Sequence, residues 1–436
     1  MIGLPQDGPR KMRIAMFCVH SHPLGRLGTT DTGGMSVYIR QIAYELGKSG
    51  HQVDIFTRFT GLHAEKMLQL SENVRLIQLK AGEKKPLNRL ALHACLAEFI
   101  KGVESFRLES KVDYDLIHSH YWLSGLAGLW AQKHWSRPLV ITFHTVAAVK
   151  KKLAADSQDP KIRLTHEKEL MQSCDLVVAL TEFERQEISQ LCAGQQANIA
   201  VIPCGVDLER FSPLAKMAAR QGLGLADNER VLLYVGRIDP LKGLDRLLAA
   251  VALLQQNASW RLIIVGGDES PGQEERHLRE MTRKLNIEEC VTLAGSQAQQ
   301  DLPRYYSAAD LFVSPSYYES FGLTGLEALA CGTPVVASNV GVFPQLLANR
   351  FVGRVRVNAS PESLAAKIKE LFMAGEKGNI PAGLIRNTVK GYSWRRVAQS
   401  LHWDYLGLVR ANNSKAVGAQ PFPGKNKLKE PQPLIQ

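Results

Sequence analysis

Two glutamates eight positions apart, Glu319 and Glu327, are the first candidates for chemistry in this sequence. They lie in ESFGLTGLEALACGTPVVAS, where a loop leads into a predicted helix and the helix into an apolar strand. Carboxylates accept hydrogen bonds from paired hydroxyls, which sugars and riboses offer. The backbone amides of Phe321, Gly322 and Leu323 could meet a sugar or phosphate oxygen at the start of that helix. The stretch therefore predicts a site for a sugar or a ribose.

A pair of cations follows the first predicted strand of the second half of the chain. Arg237 and Lys242 stand five residues apart in YVGRIDPLKG, on the loop after VLLYVG. Arginine offers a forked contact and lysine a point charge, and together they suit a diphosphate. A solvated turn that carries two surface charges is the alternative interpretation of this motif alone.

Histidines end two successive predicted strands in the first half of the chain. His118 and His120 precede Tyr121 in DLIHSHYWLSG, and His144 precedes Thr145 in ITFHTVAAVKKK. The carboxyl ends of parallel strands meet at one edge of a sheet, so we expect these side chains to point into one crevice. There they could donate hydrogen bonds, carry protons or bind a metal, and a structural role is the alternative for any single one of them. The sequence has no HExxH and no clustered thiolates beside them, so a zinc site is not expected.

A glycine pair, Gly33 and Gly34, follows the first predicted strand and precedes a helix. Free N–H groups at a helix start can hold a phosphate, and glycine lets a ligand approach the backbone closely. A flexible loop with a helix cap is the alternative. A nicotinamide site fits less well, because the spacing is not GxGxxG and the second predicted strand ends in Thr57 and Arg58 instead of an acid.

Alternating strands and helices position these residues. Apolar runs such as RIAMFCV, HQVDIFTR, LIHSH and PLVITFH alternate with helical patterns in the first half, and VLLYVG, RLIIVGG, LFVSPS and PVVAS do so in the second. This predicts two doubly wound α/β domains facing a cleft, residues 1–205 and 206–392. A helix at 393–411 is predicted to pack back on the first domain, and a disordered tail is predicted at 412–436.

Composition narrows the class of protein. A chain of 436 residues with 45% hydrophobic residues can fill two cores. The net charge of +11 would suit a phosphorylated substrate, a membrane surface or nucleic acid, but part of it lies on the tail. Seven scattered cysteines favour a reduced, cytoplasmic chain. No run reaches about 18 apolar residues, so we expect at most peripheral contact with a membrane, with Lys150–Lys152 as a weak anchor. Nucleic acid is not expected as a partner.

These motifs together resemble the retaining glycosyltransferases of family 4, which have the GT-B architecture of two Rossmann-like domains. Glu319 and Glu327 match the family's E-x7-E motif, and GRIDPLKG matches its phosphate-binding loop. GTTDTGGMSVYIRQIA, HSHYWLSGLAG and HTVAAVKK, with Arg163 and Glu167 in RLTHE, are most similar to one branch of the family. That branch holds the D-inositol-3-phosphate glycosyltransferases and the sucrose-phosphate synthases.

The resemblance implies a role for each candidate residue. Glu327 would bind the ribose hydroxyls and Glu319 the donor sugar, with His144 near the sugar ring. The implied catalytic residues are His144, Arg237, Lys242 and Glu319. The implied donor site comprises Gly33, Gly34, Arg237, Lys242, Glu319, Phe321, Gly322, Leu323 and Glu327. The implied acceptor site comprises Tyr121, Thr145, Arg163 and one basic residue among Lys84, Lys85 and Arg89.

The implied activity is transfer of a hexose, glucose or N-acetylglucosamine, from a UDP-sugar to a hydroxyl with retention. The acceptor would be a phosphorylated polyol or sugar, such as inositol 3-phosphate or fructose 6-phosphate. The UDP-sugar is a co-substrate, and no further cofactor or metal is expected. Alternatives are a lipid or polysaccharide acceptor at the inner membrane surface, a sugar-nucleotide 2-epimerase and a non-catalytic sugar-nucleotide sensor.

Overall fold

A computed structural model describes residues 11–28, 32–153, 161–192, 197–256, 258–267, 272–346, 352–355, 359–378 and 381–418. The first half of the chain forms an eight-stranded sheet. Its strands are β1 (Arg13–Cys18), β2 (Gln52–Arg58), β3 (Met67–Ser71), β4 (Val74–Leu79), β5 (Leu116–His120), β6 (Leu139–Thr142), β7 (Leu176–Ala179) and β8 (Ile199–Val201). Their order is β3-β4-β2-β1-β5-β6-β7-β8, parallel throughout except that β3 runs antiparallel to β4.

The helices of the first half connect these strands. They are α1 (Gly34–Lys48), α2 (Arg89–Ala94), α3 (Leu96–Glu109), α4 (Trp122–Trp135), α5 (Ala147–Leu153), α6 (Lys161–Ser173) and α7 (Glu182–Leu191). Side-chain caps fix two of the starts. Asn88 accepts a hydrogen bond from the backbone of Ala91 at the start of α2, and Thr181 accepts one from Glu184 at the start of α7.

The second half forms a six-stranded parallel sheet. Its strands are β9 (Arg230–Val235), β10 (Trp260–Val265), β11 (Val291–Gly295), β12 (Leu311–Ser314), β13 (Val335–Ser338) and β14 (Val352–Val355), in the order β11-β10-β9-β12-β13-β14. The helices of this half are α8 (Lys216–Gln221), α9 (Leu244–Gln255), α10 (Gln273–Lys284), α11 (Leu302–Ala308), α12 (Leu323–Ala330), α13 (Pro361–Gly378) and α14 (Ala382–Asn387). Short 3-10 turns lie at Pro240–Lys242, Glu288–Cys290 and Phe343–Leu346.

Both sheets are covered on their two faces, which explains why their central strands are continuous apolar runs. Successive residues of β1 point to opposite faces: Ile14 and Met16 join one hydrophobic cluster, whereas Ala15 and Phe17 join another. With the observed strand orders, this arrangement confirms the prediction of two Rossmann-like doubly wound domains. The predicted strands are present, but the β3–β4 hairpin was not predicted.

The chain passes between the two sheets twice, and the two passages lie side by side. Val206 and Ser393 form an isolated parallel bridge, and the backbone N–H of Val206 donates to the carbonyl of Tyr392 at 2.6 Å. The domain boundaries predicted at 205/206 and 392/393 fall at this point. Division of the chain into independent domains there stays a prediction.

The last helix, α15 (Trp394–Gly418), returns to the first half of the chain. The ring of Trp394 packs edge-on against Tyr38 of α1, with centroids 5.8 Å apart. The predicted end of this helix at residue 411 was wrong, since α15 continues to Gly418. Asn412, in the added part, donates to the carbonyl of Ser136 at 3.0 Å. The rest of the predicted tail, residues 419–436, lies outside the described residues. No described helix is long and apolar enough to cross a membrane.

Candidate active site

A cleft of about 470 Å³ lies between the carboxyl ends of the two sheets. It brings together residues that are up to about 300 positions apart in the sequence, from both halves of the chain. The predicted site residues in its wall are Gly33, Gly34, Arg89, Tyr121, His144, Thr145, Arg163, Arg237, Lys242, Glu319, Phe321, Gly322, Leu323 and Glu327.

Of the three basic residues considered for the acceptor site, Arg89 lines the cleft. Lys85 points elsewhere, because its Nζ pairs with Glu83 at 2.7 Å and its side chain is 60% exposed. The ammonium of Lys84 lies over the ring of Phe59, 5.1 Å from the centroid. Arg89 is the first residue of α2, so the Asn88 cap that starts this helix also places Arg89 at the cleft.

The second domain presents a compact ion pair to the cleft. Lys242 donates from Nζ to Glu319 Oε2 at 2.6 Å, and both side chains are only 16% exposed. Lys242 ends a 3-10 turn that Asp239 caps by accepting from the backbone N–H of Leu241 at 2.9 Å. The guanidinium of Arg237 lies 3.6 Å from the same aspartate. Both cations are therefore held in place before any ligand arrives.

The loop before α12 exposes backbone instead of side chains. Gly322 has a φ of 101°, a left-handed conformation that favours glycine, and a Cβ there would lie 2.9 Å from the ring of Phe343. The Phe321 side chain is buried in the core, so this residue can meet a ligand through its main chain. The start of α12 is thus open to an anionic or hydroxyl group.

Glu327 lies one turn inside α12 and is 6% exposed. Its Oε2 accepts a hydrogen bond from the Tyr306 hydroxyl at 2.8 Å. Burial raises the pKa of Glu327 to about 7, although the hydrogen bonds from Tyr306 and Gln299 lower it. This carboxyl therefore changes its charge close to neutral pH.

Several contacts fix the side chain of Arg163 in the first domain. Arg163 is 2% exposed and donates from Nε to Glu167 Oε1 at 2.6 Å, and from Nη2 to Thr145 Oγ1 at 2.9 Å. Its guanidinium lies over the ring of Tyr121, 4.7 Å from the centroid. Glu167 also accepts from the backbone N–H of Ala147 at 2.8 Å, which ties α6 to the start of α5. The predicted acceptor residues Tyr121, Thr145 and Arg163 thus form one contact network.

Two residues in this wall have strained backbones. Tyr121 has a φ of 75° and His144 a φ of 60°, both in the left-handed region, although neither is glycine. Such a conformation costs about 1–3 kcal/mol and persists where the surroundings enforce it, often at functional sites. At Tyr121 the backbone N–H donates to the carbonyl of Thr142 at 2.9 Å, which holds the turn.

The expectation that all three histidines point into one crevice was wrong for two of them. His144 lines the cleft, whereas His118 and His120 are fully buried behind it. His120 Nδ1 lies 3.1 Å from His144 Nε2, and His118 Nδ1 lies 2.6 Å from the hydroxyl of Tyr405 on α15. Burial lowers the pKa of both His118 and His144 to about 3, so these imidazoles are neutral at pH 7.

The cleft wall also contains residues that the sequence did not single out, among them His20, Gln299 and Tyr318. The ring of His20 lies 4.1 Å from that of Tyr121, and burial together with the charge of Arg89 lowers the pKa of His20 well below its usual value. His20 comes just after β1, so the strand-end argument could have found it. Tyr318 stands one position before Glu319, where no sequence signal marks it. The described residues contain no group of three or more histidine, cysteine, aspartate or glutamate side chains that could hold a metal ion.

Two protein-family models match this chain. "Glycosyltransferase Family 4" covers residues 32–210, and "Glycosyl transferases group 1" covers residues 216–382. A D-inositol 3-phosphate glycosyltransferase from Mycobacteroides abscessus is 39% identical over 402 residues, which is 90% of this chain and 88% of that protein. The protein of that name from Corynebacterium glutamicum is 38% identical over 410 residues, covering 92% of this chain and 98% of its own.

Solved structures agree with the sequence relatives. A sucrose-phosphate synthase from Thermosynechococcus elongatus superimposes with a TM-score of 0.84 at 32% identity, over 92% of this chain and all of that one. Anabaena HepE in complex with UDP and glucose superimposes with a TM-score of 0.70 at 22% identity, over 91% of this chain and all of that one, and supports the fold. The chain is therefore a glycosyltransferase with the GT-B fold and belongs to glycosyltransferase family 4.

Proposed function

We propose that this glycosyltransferase transfers a hexose, glucose or N-acetylglucosamine, from a UDP-sugar to a hydroxyl of a small phosphorylated acceptor, with retention at the anomeric carbon. The observation that carries the proposal is the presence of cations on both walls of one cleft. Arg237 and Lys242 line the second-domain wall, and Arg89, Lys150 and Arg163 line the first-domain wall. One set suits the diphosphate of a donor and the other a phosphate on an acceptor.

The donor part of the proposal rests on the second-domain wall. Glu327 can accept hydrogen bonds from ribose hydroxyls, and Glu319, which lines the cleft beside Lys242, can meet the donor sugar. UDP is the nucleotide named for the HepE complex, a structural neighbour. Two relatives, a D-inositol 3-phosphate glycosyltransferase and a sucrose-phosphate synthase, carry a phosphorylated polyol or sugar in their names, which supports a phosphorylated acceptor.

Charge stabilisation is the main catalytic effect in this proposal. The bond from the anomeric carbon to the UDP oxygen breaks, and Arg237, Lys242 and the backbone amides at the start of α12 stabilise the negative charge that grows on the phosphate. The acceptor hydroxyl forms the new bond from the same face. Its proton passes to the leaving phosphate, because burial lowers the pKa of both His20 and His144 in the cleft wall and makes them weak bases.

The membrane alternative has less support from the lysines that suggested it. Of the Lys150–Lys152 run, Lys150 lines the cleft, and Lys152 donates to Glu187 Oε1 at 2.7 Å. The Lys152 side chain is still 59% exposed, so only the position of Lys150 bears on the choice. That position favours a small acceptor that enters the cleft over an anchor at a lipid surface.

The test is UDP release from UDP-glucose and UDP-N-acetylglucosamine, each with inositol 3-phosphate, with fructose 6-phosphate or with no acceptor. Glu327→Ala serves as the control variant. Release that needs one phosphorylated acceptor and is lost in the variant supports the proposal, and the anomeric configuration of the product by NMR tests retention. Donor turnover without any acceptor would indicate an epimerase or hydrolase instead. Measurable UDP binding without release for any pair would overturn the proposal.

A further inference from the structure

Tyr318 belongs to the second domain by sequence and to the first domain by packing. It lies between β12 and α12, one position before Glu319. Its side chain is 8% exposed and packs in a hydrophobic cluster whose other buried members lie between Ala15 and Cys192. It also lines the cleft. One aromatic side chain therefore reaches from the donor-binding domain into the wall of the other domain.

The backbone of Tyr318 is fixed to the loop that carries the diphosphate-binding lysine. The N–H groups of Tyr317 and Tyr318 donate to the carbonyl of Leu241, at 2.8 and 3.3 Å. Leu241 precedes Lys242, which in turn binds Glu319 at 2.6 Å. Tyr318 must therefore move together with the groups proposed to bind the donor.

The side chain of Tyr318 ends at the opposite wall. Its ring packs in the same hydrophobic cluster as Val146, the residue between Thr145 and the start of α5, and the Val146 backbone lies close enough to the hydroxyl to oppose the rise of its pKa. The charges of Glu184, Arg163 and Glu167 act on this hydroxyl, and its burial raises the pKa of Tyr318, so the group stays neutral. The tyrosine thus touches the segment that carries one of the predicted acceptor residues.

We propose that Tyr318 is a positioning residue for the acceptor. Because its backbone is tied to the loop of Lys242 while its side chain packs with the Thr145–Val146 segment, it sets the distance between the acceptor hydroxyl and the anomeric carbon. This inference rests on the proposed function. Its consequence is selective: loss of the side chain weakens acceptor binding and coupling but leaves donor binding unchanged.

Tyr317 provides a matched control on the same loop. Its hydroxyl lies 3.4 Å from Asp245 Oδ2, and the guanidinium of Arg246 lies 4.7 Å from its ring centroid, so its side-chain contacts are within the second domain. We would prepare Tyr318→Phe, Tyr318→Ala, Tyr317→Phe and Tyr317→Ala in the full chain. The measurements are the acceptor KM, the UDP Kd by calorimetry, and the ratio of acceptor-coupled to uncoupled UDP release.

We expect Tyr318→Ala to raise the acceptor KM about tenfold or more, since truncation of a buried aromatic anchor commonly costs at least that. Tyr318→Phe keeps the ring and removes only the hydroxyl beside the Val146 backbone, so a smaller rise of about two- to fivefold is expected. Both variants should lower the coupling ratio and leave the UDP Kd within about twofold of the wild type. The Tyr317 variants should leave the acceptor KM within about twofold.

The inference is overturned if both Tyr318 variants keep the wild-type acceptor KM, or if the UDP Kd rises by the same factor as the KM. The second result would assign the tyrosine a packing role alone. If Tyr318→Ala does not fold, the phenylalanine variant decides the matter by the same two measurements. Failure of the proposed function is distinguishable, since the wild-type chain itself would then show no acceptor-dependent release, and both proposals would fall.

Discussion

The two walls of the cleft are built in different ways. The second-domain wall takes its charged groups from two short segments, residues 237–242 and 319–327, and each cation there lies beside a carboxylate. The first-domain wall collects single residues from the ends of many strands and the starts of several helices. Its main cation, Arg163, is almost fully buried. One wall is a local motif, whereas the other exists only through the tertiary fold.

This difference has an energetic consequence. Lys242 and Glu319 are each 16% exposed, so water still reaches them and their pairing is moderate. Arg163 and Glu167 are each 2% exposed, so removal of one leaves the other as a buried charge. A mutation in the second-domain wall should therefore affect catalysis first, whereas one in the first-domain wall should affect folding as well.

The largest effect is expected for Arg163→Ala. The change leaves Glu167 buried without its partner, and breaking a buried pair in this way costs about 3–5 kcal/mol of unfolding free energy. Chemical denaturation measures the loss. Arg185→Ala is the control, because its pairing with Glu182 is on the surface and little change is expected. Equal stability of the two variants would contradict the contrast between the walls.

The second-largest effect is expected for Lys242→Ala, which should lower turnover. Loss of one group that stabilises the leaving phosphate lowers kcat by about 10²–10³. Stability should change much less than in Arg163→Ala, since the pair is partly solvated. Lys216→Ala is the control: this lysine also pairs with a carboxylate of the second domain, Asp310, but lies outside the cleft. A decrease in kcat below about fivefold in Lys242→Ala would argue against charge stabilisation.

A smaller effect is expected from the pH dependence of Glu327. Its pKa of about 7 means that the carboxylate forms as the pH rises from 6 to 8, and only the ionised form is a purely accepting partner for ribose hydroxyls. UDP affinity of the wild type relative to Glu327→Gln should rise up to about tenfold over that range. Calorimetry at pH 6, 7 and 8 measures it, and the ratio cancels the titration of UDP itself.

Glu184 is the matched control for this titration. Burial raises its pKa to about 7 as well, but it lies in the first turn of α7 in the first domain and accepts from the backbone N–H of Leu180 at 2.6 Å. A carboxyl whose pKa is higher in the folded than in the unfolded state contributes fully to stability at a pH below its unfolded-state pKa. This contribution is lost as the pH rises through the folded-state pKa of about 7. Glu184→Gln should therefore flatten the decline of Tm with pH and leave the pH dependence of UDP affinity intact. A changed pH dependence of UDP affinity in Glu184→Gln would contradict the functional difference between the two walls.

The smallest effect is expected for Tyr405→Phe. The change removes the hydroxyl that lies 2.6 Å from His118 Nδ1, behind the first-domain wall, and should cost about 1 kcal/mol of stability. Tyr44→Phe is the control, since Tyr44 is exposed on α1 and its loss should be close to zero. Denaturation of both variants decides the matter. Equal stability would show that the contact between α15 and His118 contributes nothing.

The residues of the second-domain wall could be grouped from the sequence because that wall is a local structure. Glycine, arginine and glutamate at fixed spacing on strand-to-helix loops place their groups through backbone geometry alone, and Gly322 with its left-handed φ is an example. The first-domain wall depends on contacts between distant segments. Arg89 and Lys85 could not be told apart in the sequence, because a cap at Asn88 and an ion pair to Glu83 decide their directions.

Other residues had either a misleading signal in the sequence or none. His118 and His120 look like site residues at a strand end, but the return of α15 places Tyr405 against His118 and the pair is buried. Tyr318 is one aromatic residue among many until the two domains meet. The β3–β4 hairpin was missed because β3 has no buried residue and reads MLQLS, so it lacks the apolar run that marks the other strands.

The most direct test of the central claim is the ratio of kcat/KM for a phosphorylated acceptor to that for its dephosphorylated form, measured for the wild type and Arg89→Ala. If the first-domain wall binds the acceptor phosphate, the wild-type ratio should exceed about 10² and fall about tenfold or more in the variant, while the UDP Kd stays unchanged. A wild-type ratio near one would contradict the proposal that the second-domain wall binds the donor and the first-domain wall binds the acceptor phosphate.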